Sequence, residues 1–345
     1  MNVLVTGNLG YVGSVVSADL QRNGHRVTGY DIGYFAPCQI DRPEAPDAQL
    51  IGDTRAFDPA ALHGIDAVVH LAALSNDPLG ELDPGLTDDI NVGGLRRVAE
   101  AAKAAGIRRF VFASSCSLYG KSEGTAPLDE TCAQNPLTAY ARSKVDGERV
   151  IFDLADATFR PIALRFSTAY GWSPRIRLDL VVNNLVASAL VTGVVALESD
   201  GTPWRPLVHV RDMAQAIRLA LESDVDRTGA TAYNVGAEAE NYQIRTIATR
   251  VAAAVGDLPI TMKSAAESGD QRSYNVGFER VRAAFPAFRT AWTLDAGIAE
   301  LVEQMRPRID AAGFSGPDYF RIRRIRDLLA AGEIDARLRV PAAAV

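Results

Sequence analysis

Cysteine is scarce in this 345-residue chain, which has only Cys38, Cys116 and Cys132. An odd number at these spacings fits neither a disulfide framework nor a zinc site, so the sequence predicts a reducing, cytoplasmic setting and no metal. No long Lys/Arg run occurs and the net charge is -6. Phosphate backbones are gripped by clustered cations, so nucleic acid is excluded as a partner. No uncharged apolar run reaches the roughly 18 to 20 residues of a membrane helix, so no membrane partner is expected. The opening MNVLVTG is an apolar strand from its start, and it lacks the basic region and small-residue cleavage site of a secretory leader. Internal repeats are missing too, and the only biased tract is a short Ala-rich end expected to fray. What remains is 48% hydrophobic and 23% charged, the balance of a globular protein filling one large or two modest domains.

The first half alternates short apolar runs with amphipathic stretches. NVLVT, RVTGYD, DAVVHLA, RFVFAS and PIALRF read as buried strands, because a parallel sheet covered on both faces needs nearly continuous apolar residues. Between them, Val12, Val15, Val16 and Leu20 share one helix face, as do Val92, Leu95, Val98 and Ala102. This alternation predicts an α/β fold with a doubly wound parallel sheet, whose ligands sit beyond the carboxyl ends of the strands. After Gly171 the rhythm becomes less regular, and a smaller C-terminal α/β domain is expected there. PLVHV, RDMAQAIRLALES and AYNVG look like further sheet-and-helix units returning to the first domain. The expected division is residues 1–172 with about 206–237, and about 173–205 with 238–345. In the stretch YFRIRRIRDLLAAG, Ile322, Ile325, Leu328 and Leu329 fall at helical spacing among arginines, a face suited to packing on its own domain or a sister subunit.

TGNLGYVGS follows the first strand and opens the first helix, with Gly7, Gly10 and Gly13 evenly spaced. Such glycines serve a tight turn, close approach of backbone to a pyrophosphate, and close helix-strand contact. Asp31 ends the second strand 18 residues after Gly13, where a carboxylate accepts adenosine ribose hydroxyls and repels a 2′-phosphate, which points to NAD over NADP. Asp53 in IGDTR either accepts from the adenine amino group or is a solvated loop aspartate.

Tyr140 and Lys144 in TAYARSK stand four apart and share a helix face. A free phenol has a pKa of about 10, and lowering it by roughly three units needs about 4 kcal/mol, much of which one close ammonium in a dry site supplies. The tyrosine then becomes a usable acid/base for interconverting a hydroxyl and a carbonyl. Taken alone, the pair also fits an ordinary exposed helix contact. RFVFASSCSLYG gathers Ser114, Ser115 and Ser117 just past a strand's carboxyl end, where ligands sit. A hydroxyl there can share a hydrogen bond with the same substrate oxygen. His70 and His209 lie within strands and read as structural, and Cys116 as apolar packing.

With these pieces in place, the chain resembles the extended short-chain dehydrogenase/reductase family of nucleotide-sugar epimerases and dehydratases, which have a Rossmann domain. The matching motifs are TGNLGYVG, Asp31, GDTR, HLAALS, INVGG, FASSCSLYG, NPLTAYARSK, LRFSTAYG, VVNNL and PLVHVRD. The resemblance implies Tyr140 as acid/base, Lys144 on the nicotinamide ribose while tuning that phenol, and Ser115 assisting. It implies NAD contacts from Gly7, Gly10, Tyr11, Val12, Gly13, Asp31, Asp53, Thr54, Leu71, Ala72, Ala73 and Asn91. For the substrate it points to Ser75, Ser117, Thr168, Asn184 and Leu185, with Arg205 and Arg272 as candidates for a bidentate phosphate grip. Each of those arginines is equally compatible with a surface salt bridge. Thr168 stands where many relatives carry a substrate-binding asparagine, which leaves the base and sugar open.

Relatives that eliminate water carry an Asp-Glu pair directly after the strand-end hydroxyl residue; here Cys116 and Ser117 occupy it, and neither shuttles protons well at neutral pH. The expected activity is therefore redox-neutral epimerisation of a nucleotide-diphosphate sugar through a keto intermediate, with hydride taken and returned. A 4-ketoreductase or related deoxysugar enzyme is the alternative. Two long helical stretches, INVGGLRRVAEAAKAAG and AYARSKVDGERVIFDLAD, resemble the pair through which relatives form a homodimer.

Overall fold

The computed structural model describes residues 1–75, 83–122, 126–264 and 272–341; the Ala-rich end at 342–345 lies outside them. Its strands are β1 (Asn2–Thr6), β2 (Arg26–Asp31), β3 (Ala48–Ile51), β4 (Ala67–His70), β5 (Arg109–Ser115), β6 (Arg160–Phe166), β7 (Thr168–Tyr170), β8 (Val195–Leu197), β9 (Trp204–His209), β10 (Thr231–Val235), β11 (Asn241–Gln243) and β12 (Ile260–Met262). Seven of them form one parallel sheet in the order β10-β6-β5-β4-β1-β2-β3. The apolar runs become central strands because both of their faces are covered. Val3 and Val5 pack with Val16, Leu20 and Ile217 on one side, whereas Leu4 joins Leu95, Val98 and Phe110 on the other. Neighbouring residues of a strand point to opposite faces, so a continuous apolar run serves two cores at once.

The chain runs from β1 outward to β2 and β3, then crosses to the far side of β1 to lay down β4. That reversal opens a crevice beyond the carboxyl ends of β1 and β4, the usual ligand position in such sheets.

Helix Val210–Glu222 and strand β10 return to the large sheet as the sequence predicts, but Trp204–His209 does not. It pairs parallel with β7 and antiparallel with β11 in a separate three-stranded sheet. The physical reason is β7, which follows β6 after Ser167 alone and offers a free edge next to the cleft. A further core, built around Ile176, Val186, Ile247 and Leu301, holds helices Val181–Thr192, Ile244–Val255 and Leu294–Met305 together. The arginine-flanked face of YFRIRRIRDLLAAG packs on its own chain, with Ile325 and Leu328 buried beside Tyr34. No helix among the described residues is long and apolar enough to cross a membrane.

Candidate active site

A cleft of about 1090 Å³ lies over the carboxyl ends of β1, β2, β4 and β5, and every predicted site residue except Asn91 lines it. At one wall stands the glycine loop. Gly7 has φ +75, and a methyl group there would stand 2.7 Å from the Ala72 nitrogen. A Cβ on Gly13 would stand 2.1 Å from the Gly7 oxygen, so only glycine permits this close passage of backbone against backbone. Helix Tyr11–Arg22 starts after Gly10 with no side chain among the described residues capping it. Its first-turn residues Tyr11, Val12 and Gly13 line the cleft, and amides at a helix start favour an anion. The Tyr11 side chain turns away, donating its hydroxyl to Gly171 O at 2.8 Å.

Helix Ala139–Asp153 carries the tyrosine and lysine. Thr138 caps it by accepting from the Ala141 amide at 3.2 Å. Lys144 Nζ lies 5.4 Å from the Tyr140 ring centroid and 4.8 Å from that of Phe112. It donates to Ala113 O at 2.7 Å, which ties the ammonium to the end of β5. Burial pulls the lysine down to about 7, and the Glu148 carboxylate opposes that fall. Glu148 is itself held by Arg165 through Nε at 2.9 Å and Nη2 at 2.7 Å, and it accepts from the Ser114 hydroxyl at 2.5 Å. A buried bidentate ion pair therefore braces the floor behind the lysine. Ser115 faces the cleft and accepts from the Ser117 amide at 3.1 Å, while Ser117 Oγ is buried with no hydrogen-bond partner among the described residues.

The NAD dependent epimerase/dehydratase family matches residues 3–236, well over half of the chain. The chain belongs to that family. It is 31% identical over 250 residues to UDP-glucose 4-epimerase of Rhizobium leguminosarum bv. trifolii, covering 68% of this chain and 76% of the relative. It is 29% identical over 273 residues to UDP-glucose 4-epimerase of Bacillus subtilis, covering 68% and 77%. Among solved structures, MoeE5 in complex with UDP-glucose and NAD superposes with a TM-score of 0.77 at 29% identity, covering 89% of this chain and 99% of MoeE5. The family's cofactor is NAD, and the glycine cradle and uncapped helix start fit its pyrophosphate.

Several side chains of this family member are placed differently from expectation. Asn91 stands behind the cleft wall: its amide donates to Leu74 O and Ser143 Oγ and accepts from the Leu74 amide at 2.7 Å. It fixes the strand-end loop that Leu71, Ala72 and Ala73 share. Asp53 lines the cleft, but both its carboxylate oxygens bind Arg55 Nε, at 3.0 and 2.9 Å. Asp31 accepts from the Leu9 amide at 3.1 Å and the Gly33 amide at 2.8 Å. Burial raises its carboxyl pKa, while those amides and the guanidinium groups of Arg175 and Arg321 hold it down.

At the opposite end, Thr168, Asn184, Leu185, Arg205 and Arg272 line the cleft. Asn184 donates to Leu178 O at 2.7 Å, and Arg205 donates to Trp204 O at 2.8 Å and to Arg272 O. Arg205 is only 6% exposed, so the surface-bridge alternative does not describe it.

Arg177 also lines the cleft without having been singled out from sequence. It pairs with Asp179 at 2.9 Å and donates to Ser75 Oγ at 2.9 Å. RIRLD carries no motif that marks it, because its partner Ser75 is 102 positions away.

Cys116 points into the core, with its thiol on Arg165 O at 3.1 Å, and burial pushes the thiol well above its ordinary range. His70 bonds Thr6 Oγ1 at 3.0 Å and is held down to about 3 by burial and by the nearby Lys144 charge. His209 caps helix Val210–Glu222, bonds Glu300 at 2.9 Å and stacks 4.1 Å from Trp292. All three are structural.

Proposed function

We propose that the chain is an NAD-dependent epimerase acting on a UDP-linked hexose or hexuronate. One observation carries this reading: Tyr140, Lys144 and Ser115 line the same cleft as the glycine loop, between Asp31 at one end and Arg205 with Arg272 at the other. NAD held in this cleft would supply a reversible hydride acceptor for a sugar carbon, so that no net oxidation would result. The Tyr140 phenolate takes the proton of the sugar hydroxyl as that carbon is oxidised, and the resulting phenol returns it afterwards. Lys144 supplies the positive charge that favours the phenolate, and Ser115 bonds the same sugar oxygen. Gly7, Gly10 and the amides of Tyr11, Val12 and Gly13 would hold the pyrophosphate, and Asp31 would accept from the adenosine ribose. Asp53, Thr54, Leu71, Ala72 and Ala73 line the adenine and nicotinamide sides, with Asn91 as a positioning residue. Ser75, Ser117, Thr168, Asn184 and Leu185 enclose the sugar and its diphosphate, which Arg205 and Arg272 grip. The burial of Cys116 argues against elimination, since it leaves no proton shuttle next to Ser115.

We read the chain as two portions, a cofactor part (1–172 with about 206–237) and a substrate part (about 173–205 with 238–345). The return of β10 to the large sheet supports the first. The free state of Cys38, Cys116 and Cys132 suits a reducing cytoplasm. A homodimer through helices Gly94–Ala104 and Ala139–Asp153 is part of the same reading, and light scattering at the mass of a single 37.0 kDa chain ends it.

The test is incubation of the purified protein with a panel of UDP-hexoses and UDP-hexuronates. One of them is expected to gain an epimer while absorbance at 340 nm stays flat. Stoichiometric consumption of NADH or NADPH with a keto-sugar establishes the ketoreductase instead.

A further inference from the structure

Residues 321–341 make no contribution to the large sheet, yet Arg321 at their start lines the cleft. Helix Arg321–Ala330 buries Ile325 and Leu328, and the following turn buries Ile334 and Leu338, all four in one cluster with Tyr34 and Leu74. The attachment is polar as well as apolar. Arg55 donates from Nη1 to Arg337 O and from Nη2 to Leu338 O, both at 2.7 Å, while Tyr34 donates its hydroxyl to Leu338 O. Arg324 Nε donates to Tyr34 O at 3.2 Å. Arg321 is 2% exposed, sits 4.7 Å over the Phe35 ring and donates to Arg175 O at 3.0 Å.

The residues that anchor this segment are themselves cleft residues. Tyr34, Phe35, Asp53 and Arg55 line the cleft, and so does Arg321 from the segment itself. They follow Asp31 and flank Asp53, so they border the adenosine end of the site. Asp53 is held by Arg55, and Arg55 holds the carbonyls at 337 and 338; one guanidinium thus ties the adenosine wall to the far end of the chain.

We propose that Arg321–Leu338 is a strap across the adenosine end of the cofactor cleft, and that it keeps NAD bound from one turnover to the next. The inference rests on the reading of the cleft as an NAD site. A cofactor that is reduced and reoxidised in place has no need to leave, and a closed adenosine wall slows its departure without touching the reacting carbon. Closure of this kind acts on the dissociation rate, which carries most affinity differences between related complexes.

Two proteins test it: the chain ended after Gly332, and the full chain carrying Ile334→Ser with Leu338→Ser. Each is loaded with adenine-labelled NAD, desalted rapidly and followed for release, with circular dichroism and a thermal melt confirming the fold. Release about tenfold faster than from the full-length protein is expected in both. If the shortened chain does not fold, the double substitution decides alone, because it removes two apolar anchors and retains every backbone group. Release within twofold of the full-length protein overturns the strap. Failure of the full-length protein to bind NAD at all overturns the cofactor reading beneath it.

Discussion

Replacing Tyr140 by phenylalanine is expected to lower kcat by about a thousandfold while leaving the fold and NAD binding in place. The substitution removes one hydroxyl from a partly buried side chain at the start of a capped helix, so packing loses little. What disappears is the group proposed to take and return the sugar proton. Positioned proton transfer contributes roughly a hundredfold to ten-thousandfold to a rate. With the phenol proposed to act on the reacting oxygen, and Arg205 and Arg272 proposed to hold the diphosphate, the loss is expected to fall on kcat while KM stays within a few-fold. Steady-state kinetics with a NAD titration reads both. A variant retaining a tenth of the activity would take the acid/base role away from Tyr140.

Replacing Lys144 by methionine is expected to cost at least a hundredfold in activity and to stabilise the cofactor-free protein at low pH. Its ordinary value of 10.5 describes the unfolded chain, and burial brings it to about 7 in the fold. Between those values the unfolded chain holds a proton that the folded chain has given up, so stability rises with pH there. Below about 7 both states are protonated and the full penalty of burying the charge is present. At about 1.36 kcal/mol per pKa unit this penalty has an upper limit of roughly 4 to 5 kcal/mol. Methionine fills similar space without the charge, so its advantage in urea melts is largest near pH 6 and shrinks towards pH 10. An equal difference at both values would show that burial does not tax this ammonium. The expected opposition of stability and activity is a common mark of a site residue.

How far the site could be read from the sequence depends on how local its determinants are. Gly7 and Gly13 were legible because backbone contacts with Ala72 and within the loop exclude a side chain. The four-residue step from Tyr140 to Lys144, followed back to the serines at the end of β5, placed three groups in one cleft. Strands β1, β2, β4, β5, β6 and β10 were legible because each serves two cores. Less visible were features that depend on distant partners. PLVHV reads as a unit returning to the first domain, yet the strand Trp204–His209 that contains most of it is drawn elsewhere by the free edge of β7. Asp53 has a plausible spacing for an adenine contact, yet Arg55, the next residue but one, takes both of its oxygens. Arg55 itself binds carbonyls 282 and 283 positions away, a relation no local pattern carries. The lysine was legible as a cation, whereas its weakening by burial required the packing of Phe112 and Ala113 around it.

Redox-neutral epimerisation requires hydride to leave and rejoin the same sugar carbon within one cleft. The most direct measurement uses the converted UDP-sugar with deuterium on the carbon whose configuration changes, in ordinary water, with products followed by NMR. Deuterium kept on that carbon in the epimer, with the bound NAD unchanged at the end, is the predicted result. Replacement of the label by solvent hydrogen, or its recovery on released NADH in step with product, would contradict it.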